Sequence, residues 1–150
     1  MRPEKLPALT HAEQIGLSLT DLKVGAPLPI HFRRTVTDFD NVAVSVLAMN
    51  THPVHSDYVY AKASHFGKPL VVSPFLLSIL VGLVTNELRQ VVIRGVEVTG
   101  LTFMHPVHPG DTIAAEAEVE GVEQEQLTFF VKGKKASGEQ FAQFRLIVNT

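Results

Sequence analysis

The chain has 150 residues, 45% hydrophobic and 19% charged, with a formal net charge of −2 and a pI near 6.4. That length suits one domain, the composition argues against disorder, and the charge leaves no basic footprint for nucleic acid. The absence of cysteine removes disulfides, thiolate metal sites and cysteine nucleophiles, and it fits a reducing compartment.

Residues 1–20 carry two prolines and little periodicity, which predicts an irregular N-terminal arm ahead of one domain over residues 21–150. No apolar run there could serve as a signal peptide. The longest apolar stretch, Pro74 to Val84, is too short to span a bilayer. The expectation is a soluble cytoplasmic protein.

Leu22-Lys23-Val24-Gly25 reads as a turn into a strand, and Pro27 and Pro29 demote its start to an edge. Ile30 to Val36 suits a strand. Thr37-Asp38-Phe39-Asp40 is a helix start, with Thr37 as cap and two carboxylates at the positive end of the dipole. Phe39, Val42, Ala43, Val46 and Leu47 then recur at helical spacing, so a short helix should end near Ala48. Val42, Val44 and Val46 also alternate, which leaves a strand as the competing reading.

A polar loop follows, Asn50-Thr51-His52-Pro53-Val54-His55-Ser56-Asp57. Asp57 can cap a short helix through Ser64. Phe66-Gly67-Lys68-Pro69 reads as a turn and Leu70-Val71-Val72 as an extended link. Ser73 should cap the main helix, which runs from Pro74 to about Leu88, with proline at a position that lacks an amide partner anyway. This helix is apolar on every side, so something must wrap it. Gly82 weakens it unless something packs close.

From Val91 onward the pattern is β. Val91–Gly95 is a short strand or turn, and Glu97–Met104 a strand. In Thr112–Glu120, Ile113, Ala115, Ala117 and Val119 share one face. Gln126–Lys132 and Gln140–Asn149 pair through a turn at Ser137-Gly138. The sum is an α+β fold: a mainly antiparallel sheet of about five strands around one long apolar helix. Such a sheet cannot cover the helix on all sides, so homodimerisation through sheet edges is expected.

A helix inside a curled antiparallel sheet is the hot-dog arrangement, and the motifs resemble the MaoC-like, or (R)-specific enoyl-CoA hydratase, branch of that fold. That family carries G-D-x-N-P-x-H-x-D, then F-G-x-x-I-x-H-G, then P-V-x-P-G-D-T. Here Met49 to Asp57 fills the first, Phe66-Gly67-Lys68-Pro69 opens the second, and Pro106-Val107-His108-Pro109-Gly110-Asp111-Thr112 matches the third in full. The family's catalytic histidine falls on His55. Its catalytic aspartate falls on Asn50, its asparagine on His52, and its histidine-glycine pair on Val72-Ser73.

The resemblance implies a hydro-lyase adding water reversibly across the double bond of an enoyl-CoA thioester, as a homodimer or higher homo-oligomer. It implies His55 and Asn50 as the catalytic pair, with His52, Phe66, Gly67, Val72, Ser73 and Phe75 against the substrate. No cofactor, metal, nucleic acid or membrane enters this reading. An imidazole can take and return a proton near neutrality, whereas asparagine can only hold water by hydrogen bonds. Amides at the helix start suit a developing oxyanion; Pro74 has none, which leaves Ser73 and Phe75. The N-T-H-P stretch is similar to a branch acting on branched or dicarboxylic, mesaconyl-like esters, for which Arg33, Arg34 or Arg89 would supply a cation.

Blander readings stand beside these. The histidines could be loop hydrogen-bonding groups, and Asp57 a helix cap only. His52-x-x-His55 and His105-x-x-His108 imitate metal spacing, but such loop pairs seldom ligate metal. Lys132, Lys134 and Lys135 read as a solvated hairpin tip. A thioesterase, or a non-catalytic acyl-CoA-binding subunit, are the rival functions.

Overall fold

The computed structural model describes residues 16–150. The expected arm lies largely outside the described residues. Gly16, at φ +84°, sits so close to the end of the main helix that a Cβ would stand 2.9 Å from the Glu87 carbonyl oxygen. A 3-10 turn, Leu19–Asp21, follows it.

The strands are β1 (Pro27–Leu28), β2 (Arg33–Thr35), β3 (Gly95–Phe103), β4 (Thr112–Val122), β5 (Gln126–Lys135) and β6 (Gln140–Asn149). They form one antiparallel sheet in the order β1-β4-β5-β6-β3. β2 also pairs with β4, so two short strands share one edge of the sheet. The strand expected over Ile30–Val36 shrinks to β2 because the chain between β1 and β2 turns toward the main helix. There the His31 amide donates to Glu87 Oε1 at 3.0 Å and the His31 ring meets Glu87 Oε2 at 3.0 Å. Val91–Arg94 forms no strand, and β3 starts at Gly95.

Helix α1 is Asp38–Leu47, α2 is Tyr58–Ala63, and α3 is Ser73–Glu87. Helix α1 starts on a capping box: the Asp40 amide donates to Thr37 Oγ1 and the Thr37 amide to Asp40 Oδ2. That amide bond, helped by Arg34, holds the Asp40 carboxyl below its ordinary pKa. The buried face of α1 is not the apolar one, however. Asn41 and Ser45 point inward, while Phe39, Val46 and Leu47 are mostly exposed.

Helix α3 lies across the concave side of the sheet. Leu76, Ile79, Leu80, Val84 and Leu88 join Ile113, Val119, Phe129, Phe141, Phe144 and Leu146 in one core. Burying each such side chain contributes about 1.5–3 kcal/mol. The β4 alternation holds, with Ile113, Ala115, Ala117 and Val119 all buried. Gly133 on β5 lets the helix approach; a Cβ there would stand 2.8 Å from Leu80 Cδ1. The opposite stripe of the helix, Pro74, Ser78, Gly82 and Asn86, is exposed, and a Cβ at Gly82 would meet no other part of the described residues within 4 Å. One curled sheet covers one side of a cylinder, so the helix keeps a solvent face in the single chain.

Candidate active site

The polar loop leaves α1 through a helix-ending turn. The Met49 amide bonds the Val46 carbonyl at 3.2 Å, and the Asn50 amide bonds the Ser45 carbonyl at 2.9 Å. This pair of bonds is the Schellman pattern, which needs a left-handed residue, and Met49 supplies it at φ +56°. Asn50 is left half-buried, and its side chain makes no hydrogen bond among the described residues.

Pro53–His55 then forms a 3-10 turn capped by His52, whose Nδ1 accepts from the Val54 amide at 3.2 Å. His52 is exposed, and its ring lies edge-on to His55 at 6.4 Å and to Tyr60 at 5.6 Å between centroids. His55 is buried, 9% exposed, and its Nδ1 lies 2.7 Å from the Leu70 carbonyl oxygen. A carbonyl only accepts, so Nδ1 carries the proton and Nε2 presents a lone pair. Asp57 caps α2, taking the Val59 and Tyr60 amides at 2.8 and 2.9 Å. Its carboxylate is therefore occupied by structure.

Leu70 faces the His55 loop, with its amide on the Val54 carbonyl at 3.0 Å. The neighbouring groups face the other way, as in a strand: the Val71 amide bonds the Val107 carbonyl, and the Pro69 carbonyl accepts from His108 Nδ1 at 2.8 Å. The link before α3 is thus held between both motif loops.

Val72, not Ser73, is the residue capping α3, and no side chain caps this end. Val72 itself is fully buried. The Phe75 amide donates to the Val72 carbonyl at 3.0 Å. Of the two amides considered for an oxyanion, Phe75's is therefore taken, and Ser73's is met by no carbonyl among the described residues. The Phe75 ring sits under the Arg34 guanidinium at 5.7 Å, and Arg34 pairs with Asp40 at 2.6 Å. Arg89 lies beyond the far end of α3, away from this cluster.

A cavity of about 230 Å³ opens at the start of α3, lined by Phe66, Leu70, Ser73, Leu76, Phe103 and Pro106 among others. Phe66 and Ser73 line it; His52, His55 and Asn50 do not. Gly67, at φ +72°, turns the chain beside Phe66. A second hollow, about 580 Å³, is an open polar one at the other end of the strands, around Arg94, Glu125 and Asn149, away from every motif residue. Among the described residues no three His, Cys, Asp or Glu side chains form a metal-binding group, and no helix is long and apolar enough to cross a membrane.

Asn41 was not singled out in the sequence. It is fully buried and donates from Nδ2 to the His55 carbonyl at 2.7 Å and to the Leu70 carbonyl at 3.1 Å, while its Oδ1 accepts from the Val72 amide at 3.0 Å. The available signal was a pair of polar residues, Asn41 and Ser45, one helical turn apart and otherwise among apolar residues beyond the acidic first turn of the helix.

Comparison with known proteins bears on the family and the fold. Protein MaoC of Klebsiella aerogenes is 37% identical over 81 residues, 54% of this chain and 24% of that protein; the chain thus spans about a quarter of that relative's length. The (R)-hydratase of A. caviae involved in PHA biosynthesis superposes with a TM-score of 0.72 at 24% identity, over 85% of this chain and 96% of that one. A Mycobacterium tuberculosis protein described as having a double hotdog fold superposes with a TM-score of 0.76 at 16% identity, over 89% of this chain and 43% of its own. The antiparallel sheet around α3 is accordingly the hot-dog fold. The profile of the MaoC like domain matches residues 22–140, most of the sequence, and the chain belongs to that family.

Proposed function

We propose that this protein is an enoyl-CoA hydratase-like hydro-lyase, with residues 21–150 as the working domain and the cytoplasm as its compartment. The observation that carries the reading is the placing of His55. Its Nδ1–H is anchored on Leu70, three residues before the unpaired Ser73 amide at the positive end of α3. A proton acceptor and an oxyanion donor thus flank one link of chain.

In the forward direction His55 Nε2 takes a proton from water as the water oxygen bonds the β-carbon. Negative charge collects on the thioester oxygen, where the Ser73 amide stabilises it. The imidazolium then returns the proton to the α-carbon. Asn50, unpinned by the chain, holds the water. His52, Phe66, Gly67, Val72 and Phe75 shape the surroundings of the acyl-CoA. For a branched or dicarboxylic, mesaconyl-like acid, Arg34 is the favoured cation, because it already sits over Phe75 near the helix start.

The working unit is a homodimer or higher homo-oligomer. Three features of the described residues support it: no strand among them pairs with the outer edge of β3, the Pro74-Ser78-Gly82-Asn86 stripe of α3 is exposed, and α1 turns apolar side chains outward.

A panel of enoyl-CoA esters, followed by loss of the conjugated thioester absorbance, tests the activity. His55→Ala should abolish it; a variant with the full rate would remove His55 from the role. The free side chain of Asn50 favours one second reading, a subunit that binds acyl-CoA without hydrating it. Asn50→Asp distinguishes the two, since a large gain of hydration reports a site that had lost its chemistry. Release of free thiol without water addition would indicate a thioesterase.

A further inference from the structure

Asn41 spends all of its polar atoms on backbone that belongs to other elements. Its Nδ2 donates to the carbonyls of His55 and Leu70, and its Oδ1 accepts from the Val72 amide. The Leu70 carbonyl is the group that also receives His55 Nδ1–H. Val72 is the residue immediately before Ser73 and caps α3. One planar amide, 0% exposed, therefore ties the backbone of the base, the anchor of its ring and the amide end of the helix. Among the described residues helix α1 contributes no other side-chain bond to this cluster: Ser45, one turn along on the same face, is buried with no partner there for its hydroxyl.

We propose that Asn41 is a positioning residue that fixes the His55 imidazole, in its Nδ1–H form, relative to the Ser73 amide. The role rests on the reading of the site as a hydratase. An amide side chain is suited to it because it presents two donors and an acceptor in one plane. An apolar replacement would leave two buried carbonyls with one partner fewer and the Val72 amide with none. The ring of His55 would then share its anchor with no second donor, and the helix end would be free to shift. A displacement of about 1 Å between reacting groups costs on the order of 10²-fold in rate.

The test compares Asn41→Leu and Asn41→Asp with Thr37→Ala. Asn41→Asp keeps an acceptor for the Val72 amide and loses the donors. Thr37→Ala removes the cap of α1 and touches neither His55 nor Val72, so it reports loosening of the helix alone. Nitrogen-15 spectra of the histidine rings, assigned with His55→Gln, read the tautomer of His55. The expected result is an Nδ1–H ring in the wild type and in Thr37→Ala, and a mixture with Nε2–H in both Asn41 variants. In enoyl-CoA hydration, kcat should fall by on the order of 10²-fold in Asn41→Leu with KM nearly unchanged, after correction for folded fraction. An unchanged His55 tautomer in both Asn41 variants would overturn the proposal. So would a kcat that tracks only the folded fraction. If the wild type hydrates no ester, the hydratase reading falls, and the ring spectra alone still decide the place of Asn41.

Discussion

Met49 holds φ at +56°, a left-handed conformation that costs a side-chain-bearing residue about 1 kcal/mol or more. The related motif has glycine at this place, and the geometry shows why: both helix-ending bonds, from Met49 and from Asn50, require the chain to turn there. Met49 is 84% exposed, so its side chain offsets little of that cost by packing. Met49→Gly should therefore raise the stability by about 0.5–1 kcal/mol, read as a higher urea midpoint. A lower midpoint would mean that the thioether is buried against something in the working protein. The motif histidines, Asn50 and Ser73 were legible as residue types in sequence. Their tautomers and free groups were not, because those depend on which carbonyls the fold brings near.

Helix α3 and strand β5 meet at Gly133, and that contact governs how deeply the helix seats. An alanine Cβ would stand 2.8 Å from both Leu80 Cδ1 and Phe141 Cζ, and all of these lie in the packed core. Gly133→Ala should cost about 1–3 kcal/mol through overpacking. Denaturant melts measure it; an unaltered midpoint would show that Leu80 and Phe141 repack freely. The bounds of β6, the β4 alternation and the Thr37 cap could all be read from local pattern, since each rests on neighbours within a few residues. The buried face of α1 could not. Its apolar residues recur at helical spacing, yet the fold turns Asn41 and Ser45 inward to reach the loops. The cap of α3 also moved from Ser73 to Val72, because the Val72 amide is held by Asn41 and no side-chain cap is used.

Across the whole molecule the two sheet edges differ. β4 is covered by β1 and β2, while among the described residues the outer edge of β3 is unpaired, with Val96 and Leu101 exposed. An uncovered strand of nine residues is a template for a second strand. Pairing β3 with its copy would continue the sheet. If the proposed homodimer forms through this edge, Leu101→Lys should convert it to monomer in sedimentation, because lysine on an edge strand opposes such pairing. A variant that sediments with the wild type would move the interface elsewhere. Phe39, Val46 and Leu47 of α1 are exposed apolar residues as well.

Local order was written in the chain: strand alternation, helix caps, the proline-bounded histidine loop and the family motifs all act over a few residues, where sterics and hydrogen bonding are decided by near neighbours. The relation between His55 and the Ser73 amide was set by folding alone. It runs through Asn41, 14 residues before His55 and 31 before Val72, and a bond across such separations exists only once α1 has packed against the loop and the link that precedes α3.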